Sequence, residues 1–430
     1  MLTGHSSSTR ATRRPIISDT ASIDPGIRPR TTLGCMTTII RAEQAHDFLA
    51  LVPTLAGFRP ERSIVCVGFS GNRTVGVLRH DLPRRARDRA PLASVIVSTL
   101  CRMPGVDAVV PIVYTDGRFA SGRGMPERAF LGLLVKEAER AGFLVRDALC
   151  RAADAWGSIL DRGTPAMGHP LALIDESPVT ELAPSECRVL DAPEAAAALP
   201  EADTATAHAI ALALGSFNDD TLAEASITRL GRNSDPVELV ESLLRRDSSR
   251  QPVHRLAWFL HLASRPAFRD AMMLQFAFGV VVGETAHDDA LESSERAAWR
   301  GESMDELVER ELAEGGFDPV SDLLSRLLLG QSMLRPDRDR VERALTLLLP
   351  LIANAPPTHR VGPLCIAAWL SWSLGRGSAA GALLDEALGL EPVHPMANLL
   401  LTFIGSGALP EWAFARAVPA IVEAGASDAG

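Results

Sequence analysis

This chain is short of lysine, tyrosine and paired cysteine, and each shortage removes a class of chemistry. Its only lysine is Lys136 and its only tyrosine is Tyr114. A Schiff-base or phosphate-gripping lysine would have to be Lys136. Its neighbours, LVKEAER, read as the exposed face of a helix. Six cysteines are scattered at positions 35, 66, 101, 150, 187 and 365 with no C-x-x-C pair. Neither a zinc ribbon nor a thioredoxin-type dithiol is supported. Cys66, Cys101 and Cys365 lie in apolar runs and read as small buried hydrophobes, which fits a reducing cytoplasm. No G-x-S-x-G elbow occurs: Gly68-Phe-Ser70-Gly71 is one residue short and falls in a hairpin turn. The longest apolar window, 271–283, has 13 residues and is broken by Gln275. It is too short to span a bilayer.

What is present is a large apolar inventory with an acidic balance. The 430 residues are 47% hydrophobic, enough for one large core or two moderate ones. The net charge is −10 and the pI is about 5.6, which argues against bulk phosphate neutralisation on nucleic acid. The basic run Arg84 to Arg89 reads as a solvated helix entrance. Residues 1–35 are rich in Ser, Thr, Arg and Pro and lack the apolar core of a signal peptide. They are expected to be a disordered tail, or an over-extended start with Met36 as the first residue. This tail is the one segment that could contact nucleic acid.

Periodicity divides the rest. A helix is expected over 39–52, with Ile39, Ile40, Ala42, Ala45, Phe48, Leu49 and Val52 on its buried face and Pro53 and Gly57 ending it. Ser63 to Phe69 (SIVCVGF) suits a buried strand. The SGNR turn and the return strand 74–81 make a hairpin. A helix over 91–102, a strand over 107–114, a helix over 126–141 and strands over 143–150 and 155–160 complete an α/β layer with a mixed sheet. The Pro-rich stretch beyond reads as a linker. Helical patterns then run through 221–230, 236–246, 253–262, 268–282, 304–314, 319–329, 337–353, 363–374, 378–390 and 394–404. The expected domains are thus a tail at 1–35, an α/β domain at 36–165, a linker at 166–200, a helical domain at 201–420 and a tail at 421–430. Ala380, Leu384, Ala387 and Pro392 give the helical array a weak tetratricopeptide flavour, with ordinary helical hairpins as the plainer reading.

The candidate chemistry is incomplete everywhere. The loop Gly117 to Gly124 (GRFASGRG) follows a strand and precedes a helix, and Gly117-x-x-x-x-Gly122 matches the first half of a phosphate-binding loop. Arg123 and Gly124 stand where the Lys and Ser/Thr belong. An arginine and free N–H groups at a helix start could still attract an anion, so Asp116, Gly117, Gly122, Arg123 and Gly124 are the candidate binding residues, against a plain surface loop. Glu43-x-x-His46 and Glu284-x-x-His287 have a helical metal-site spacing but fall in different expected domains. His287-Asp288-Asp289 reads as a helix start or a loop. Trp369 and Trp372, three apart, read as packing. No metal or cofactor is expected, and no catalytic residue can be assigned.

Residues 51–83 carry a resemblance. Pro53, Leu55, Gly57, Phe58, Pro60, Ser63, Ile64 to Val67 and Gly68, with Asp81 and Pro83 closing the second strand, resemble the actinobacterial family of domain of unknown function 4192. The GALLDEALGLEP stretch is similar to that family's C-terminal end, so the resemblance runs from Met36 through nearly the whole chain. The arginine-for-lysine bias agrees with such an origin. Many relatives carry a Cys-bearing insert after the strand corresponding to 143–150. Here AWGSILDRGTP lacks it, and with it any redox or metal role those cysteines serve. The resemblance implies no catalytic residues. The expectation is therefore a cytoplasmic interaction or regulatory protein that holds a protein partner through its helical half. The alternative is a small-molecule or nucleotide-phosphate enzyme using residues 116–124. Whether the chain is an enzyme stays open.

Overall fold

The computed structural model describes residues 21–22, 39–40, 42–121, 124–181, 189–219, 221–245, 251–316 and 318–415. Apart from Ala21 and Ser22, the expected tail at 1–35 lies outside the described residues, as does the one at 421–430. The chain divides into two compact units, Met1–Pro193 and Glu194–Gly430.

In the first unit a two-residue ladder pairs β1 (Ala21–Ser22) with β2 (Ile39–Ile40). Ile39 and Ile40, expected on a helix, are therefore in a strand, and helix α1 spans Ala45–Ala56. Its start is fixed by Asp47, whose carboxylate accepts the Gln44 N–H at 3.1 Å. Pro53 does not stop this helix. It lies inside the last turn, where its missing N–H removes one bond, and the stop is Gly57 at φ +81°, whose N–H bonds Pro53 O at 2.8 Å.

Strands β3 (Ser63–Ser70) and β4 (Arg73–Asp81) form the expected hairpin, with Gly71 at φ +53° in the turn. Helix α2 (Arg89–Arg102) leads to β5 (Ala108–Tyr114), and α3 (Arg128–Arg140) leads to β6 (Leu144–Val145), β7 (Leu149–Arg151) and β8 (Trp156–Ser158). The strand order is β4-β3-β5-β7-β8, with β6 also beside β5. β3 pairs β4 and β5 antiparallel, β5 pairs β6 and β7 parallel, and β7 pairs β8 antiparallel, so the sheet is mixed. Pro111 sits in this central strand without an N–H. It falls between the β6-paired residues 108–109 and the β7-paired residues 112–114, where no parallel ladder bond is required of it.

Side-chain alternation along β3 and β5 builds two cores. Ile64, Cys66, Val109 and Val113 pack with Ile96 and Leu100 of α2 and Phe130, Leu131 and Leu134 of α3. Val65, Val67, Phe69, Val110 and Ile112 pack with Phe48, Leu51 and Val52 of α1. The unit is a helix–sheet–helix sandwich, and Lys136 lies on the exposed side of α3.

The stretch expected as a linker is structured over much of its length. Helix α4 (Ala172–Asp175) and the turn after it bring Leu171, Ile174 and Val179 onto the α1 side of the sheet. Ser177 Oγ donates to Asp47 Oδ1 at 2.6 Å, and Leu190 pairs with Phe58. Three packed apolar side chains are enough to dock a short segment, yet too few to show a period.

The second unit is helical: α5 (Thr204–Asn218), α6 (Ala223–Leu230), α7 (Pro236–Leu244), α8 (Val253–Ala263), α9 (Pro266–Phe278), α10 (Val280–Arg300), α11 (Met304–Glu314), α12 (Pro319–Leu328), α13 (Arg338–Asn354), α14 (Val361–Ser373), α15 (Gly377–Leu390) and α16 (Pro395–Gly405). The helix expected over 268–282 is broken at Gly279, φ +95°. Residues 287–289 consequently lie within α10 and not at a helix start or in a loop. Ala367, Ala368, Ala380, Leu384 and Ala387 are buried in one core with Trp369 and Trp372. Each indole N–H is satisfied by backbone, Trp369 by Leu328 O and Trp372 by Ala408 O, both at 2.8 Å. These two residues therefore pack rather than form a ligand box. Among the described residues, no helix is long and apolar enough to cross a membrane.

Candidate functional site

The ends of β5 and β7 bring together residues far apart in sequence. Register partners run across the sheet as one row: Asp81 with Ser63, Ser63 with Tyr114, Tyr114 with Arg151 and Arg151 with Trp156. Directly paired residues share a sheet face, so the row lies on the α1 side. His169 extends it, stacked on Trp156 at 4.5 Å between ring centroids. Ser63 and Tyr114 are buried, and neither hydroxyl has a hydrogen-bond partner among the described residues. Burial pushes the Tyr114 hydroxyl well above the ordinary tyrosine value, against the opposing charge of Arg151. Beside the row, Arg62 takes φ +39°, a strained conformation for a side-chain-bearing residue.

The loop after β5 holds the residues expected to bind an anion. Asp116 is exposed, 3.9 Å from the Arg62 guanidinium. The Gly117 N–H bonds Thr115 Oγ1 at 3.2 Å. Gly124 takes φ +76°. Gly122 and Arg123 lie outside the described residues. Among the described residues of the loop, the N–H groups of Gly117, Phe119, Ala120 and Ser121 are already engaged, that of Ser121 by Arg118 O at 3.3 Å. Asp154, from the turn between β7 and β8, accepts the N–H of Phe119 and of Ala120, each at 3.0 Å. The Ala120 bond, with that of Phe119, holds its carboxyl below the usual aspartate value. Phe119 is itself buried in the α2–α3 core. At the far end of the loop, Arg89 grips Glu127 at 2.7 Å. The described part of the loop is thus held by a carboxylate from the turn between β7 and β8, which no local motif in 117–124 could reveal.

The Glu-x-x-His pairs separate. Glu43 precedes α1, while the His46 ring lies 6.0 Å from that of Trp156. Glu284 and His287 lie on α10 and line, with Asp235, Glu238, Glu241 and Asp288, a hollow of about 580 Å³.

That hollow opens a longer feature. Glu284, Asp288, Glu292, Glu295 and Trp299 recur at spacings of four, four, three and four, which places them on one face of α10. Trp299 is 85% exposed, and beside it Glu292, Glu295 and Arg296 line a second hollow of about 350 Å³. Leu291 on the same helix, Leu312 on α11 and Leu323 on α12 are also exposed. From Glu284 to Asp322 the sequence holds 13 acidic residues against three arginines, a local net charge of −10. Two of those arginines are held internally: Arg296 lies 3.5 Å from Glu311, and Arg310 lies 3.0 Å from Glu314.

A family model described as Domain of unknown function (DUF4192) matches residues 46–411. No curated protein and no solved structure matches the chain.

Proposed function

The chain belongs to the DUF4192 family, a kinship that brings no activity with it, and from that premise we propose that it is an interaction protein whose helical unit docks a basic, apolar-studded segment of a partner protein. The observation that carries this reading is the acidic face of α10 ending in Trp299. An exposed tryptophan amid carboxylates offers an anchor ringed by charge, the arrangement that favours a basic partner and steers its approach. The rival, a nucleotide-phosphate enzyme using residues 116–124, loses two of its backbone donors to Asp154.

A cytoplasmic setting is part of the proposal. The described cysteines Cys66, Cys101, Cys150 and Cys365 are all free thiols. Burial pushes Cys66, Cys150 and Cys365 up to about 12, so they stay protonated and inert.

The test is affinity capture from the source organism with the wild-type chain and a Trp299→Glu/Leu312→Glu variant. Both side chains are exposed, so the variant is expected to unfold at the wild-type temperature. Partners recovered by the wild type should be lost by the variant and weakened by added salt. Recovery of the same partners by both proteins would sink the proposal.

A further inference from the structure

The transverse row in the α/β unit contains groups that the interaction surface does not use. Ser63 is 0% exposed and Tyr114 4% exposed, and each hydroxyl lacks a partner among the described residues. A buried hydroxyl without a hydrogen bond is costly, and native structures pair nearly all of them. Arg151, next in the row, is half-buried, and its guanidinium makes no hydrogen bond or ion pair with any described residue. The carboxylates in and beside the row, by contrast, are engaged. Asp81 is held by Arg79 at 2.6 Å, and Asp116 lies 3.9 Å from Arg62.

What remains is a set of donors on one sheet face: two neutral hydroxyls and one guanidinium, in register on three adjacent strands. Burial keeps Tyr114 protonated, so it can donate. The complement of such a set is an oxyanion, which accepts several hydrogen bonds and pairs with arginine through its planar fork. The place agrees: ligands of open α/β sheets bind beyond the carboxyl ends of the strands, and Tyr114 and Arg151 are the last residues of the parallel strands β5 and β7. We propose that Ser63, Tyr114 and Arg151 form a binding site for the oxyanion group of a small molecule, a carboxylate or a phosphate, separate from the loop at 116–124 and from the surface of α10.

The experiment uses the full chain and two probes, inorganic phosphate and succinate, at fixed ionic strength against chloride. One of them is expected to raise the unfolding temperature in a saturable way, and which one does so identifies the anion class. Arg151→Met should weaken that binding by about tenfold or more, the loss expected for a hydrogen bond to a charged group. Tyr114→Phe should weaken it by a smaller factor, and Arg151→Lys should restore part of it. Arg300→Met, in the other unit, should leave it unchanged. No shift with either anion overturns the proposal, as does a shift that persists in Arg151→Met. So does a wild-type crystal structure grown with both anions that shows only a water against Ser63 Oγ and Tyr114 OH.

Discussion

Arg340 clamps Glu241 with two guanidinium bonds, 2.6 and 3.2 Å, tying α13 to α7. Gln275 of α9 adds its side-chain N–H to the same carboxylate at 3.1 Å. Burial pushes the Glu241 carboxyl up, but the bonds from Arg340 and Gln275 outweigh it and hold the group below the ordinary value of 4.5. A depressed carboxyl stabilises the fold above its unfolded value and loses that contribution as pH falls through its folded value. Arg340→Ala is therefore expected to cost about 2–3 kcal/mol near neutral pH, somewhat under the figure for a fully buried pair. The penalty should shrink once the pH drops below the ordinary glutamate value. Urea unfolding at both ends of that range checks it, and a penalty independent of pH would contradict the assignment.

Gly362 marks the closest approach of α14 to the end of α8. A Cβ there would lie 2.1 Å from the Ala263 carbonyl oxygen, a backbone atom that cannot swing away. Gly362→Ala should destabilise the protein by about 1–3 kcal/mol through forced helix displacement. Gly381, on α15, has nothing within 4 Å of its would-be Cβ. Gly381→Ala should instead stabilise by about 0.5–1 kcal/mol, because alanine costs less chain entropy in a helix. Chemical denaturation of both variants tests the packing directly, since opposite signs are required.

Asp147 is buried beneath the sheet end, accepting the Ala148 N–H at 2.7 Å and the Ser158 hydroxyl. Burial outweighs these bonds and raises its carboxyl above the ordinary value of 3.8. A raised carboxyl favours the fold when protonated, and that contribution is lost as pH rises through the folded value. Asp147→Asn keeps a carbonyl acceptor and removes the charge. Its unfolding temperature relative to wild type should climb as pH rises from below 3.8 toward neutrality. A difference that stays flat with pH would mean that the buried charge is not what limits stability there.

The hairpin of β3 and β4 was legible because each signal was local: a β-branched apolar run, then Gly71 and Asn72 at the turn. The observed strands begin and end within a residue of those read from the sequence. The mixed sheet and the helical second half followed from the change of period. Helix α5 was not foreseen, since TATAHAIALALGSFN mixes small and apolar residues with little contrast between faces. The break at Gly279 hid inside the apolar window 271–283, where a buried helix and a kink look alike. Legibility was poorer still for the candidate sites. Asp154 reaches Phe119 and Ala120 across 34 or more positions. The row of Ser63, Tyr114 and Arg151 exists only once three strands are in register. One clue was available: the chain's only tyrosine ends an apolar strand. The stripe on α10 was hidden for another reason, because reading 287–289 as a helix start or a loop cuts its period in two.

The solitary Lys136 gives the molecule a practical asymmetry. It is exposed on α3, and α3 covers the opposite side of the sheet from the row of Ser63, Tyr114 and Arg151. Amine-directed coupling, whether a fluorophore or a surface tether, therefore has one lysine to find. A chain immobilised through it is held by the back of its sheet, with the Arg151 side facing away from the support.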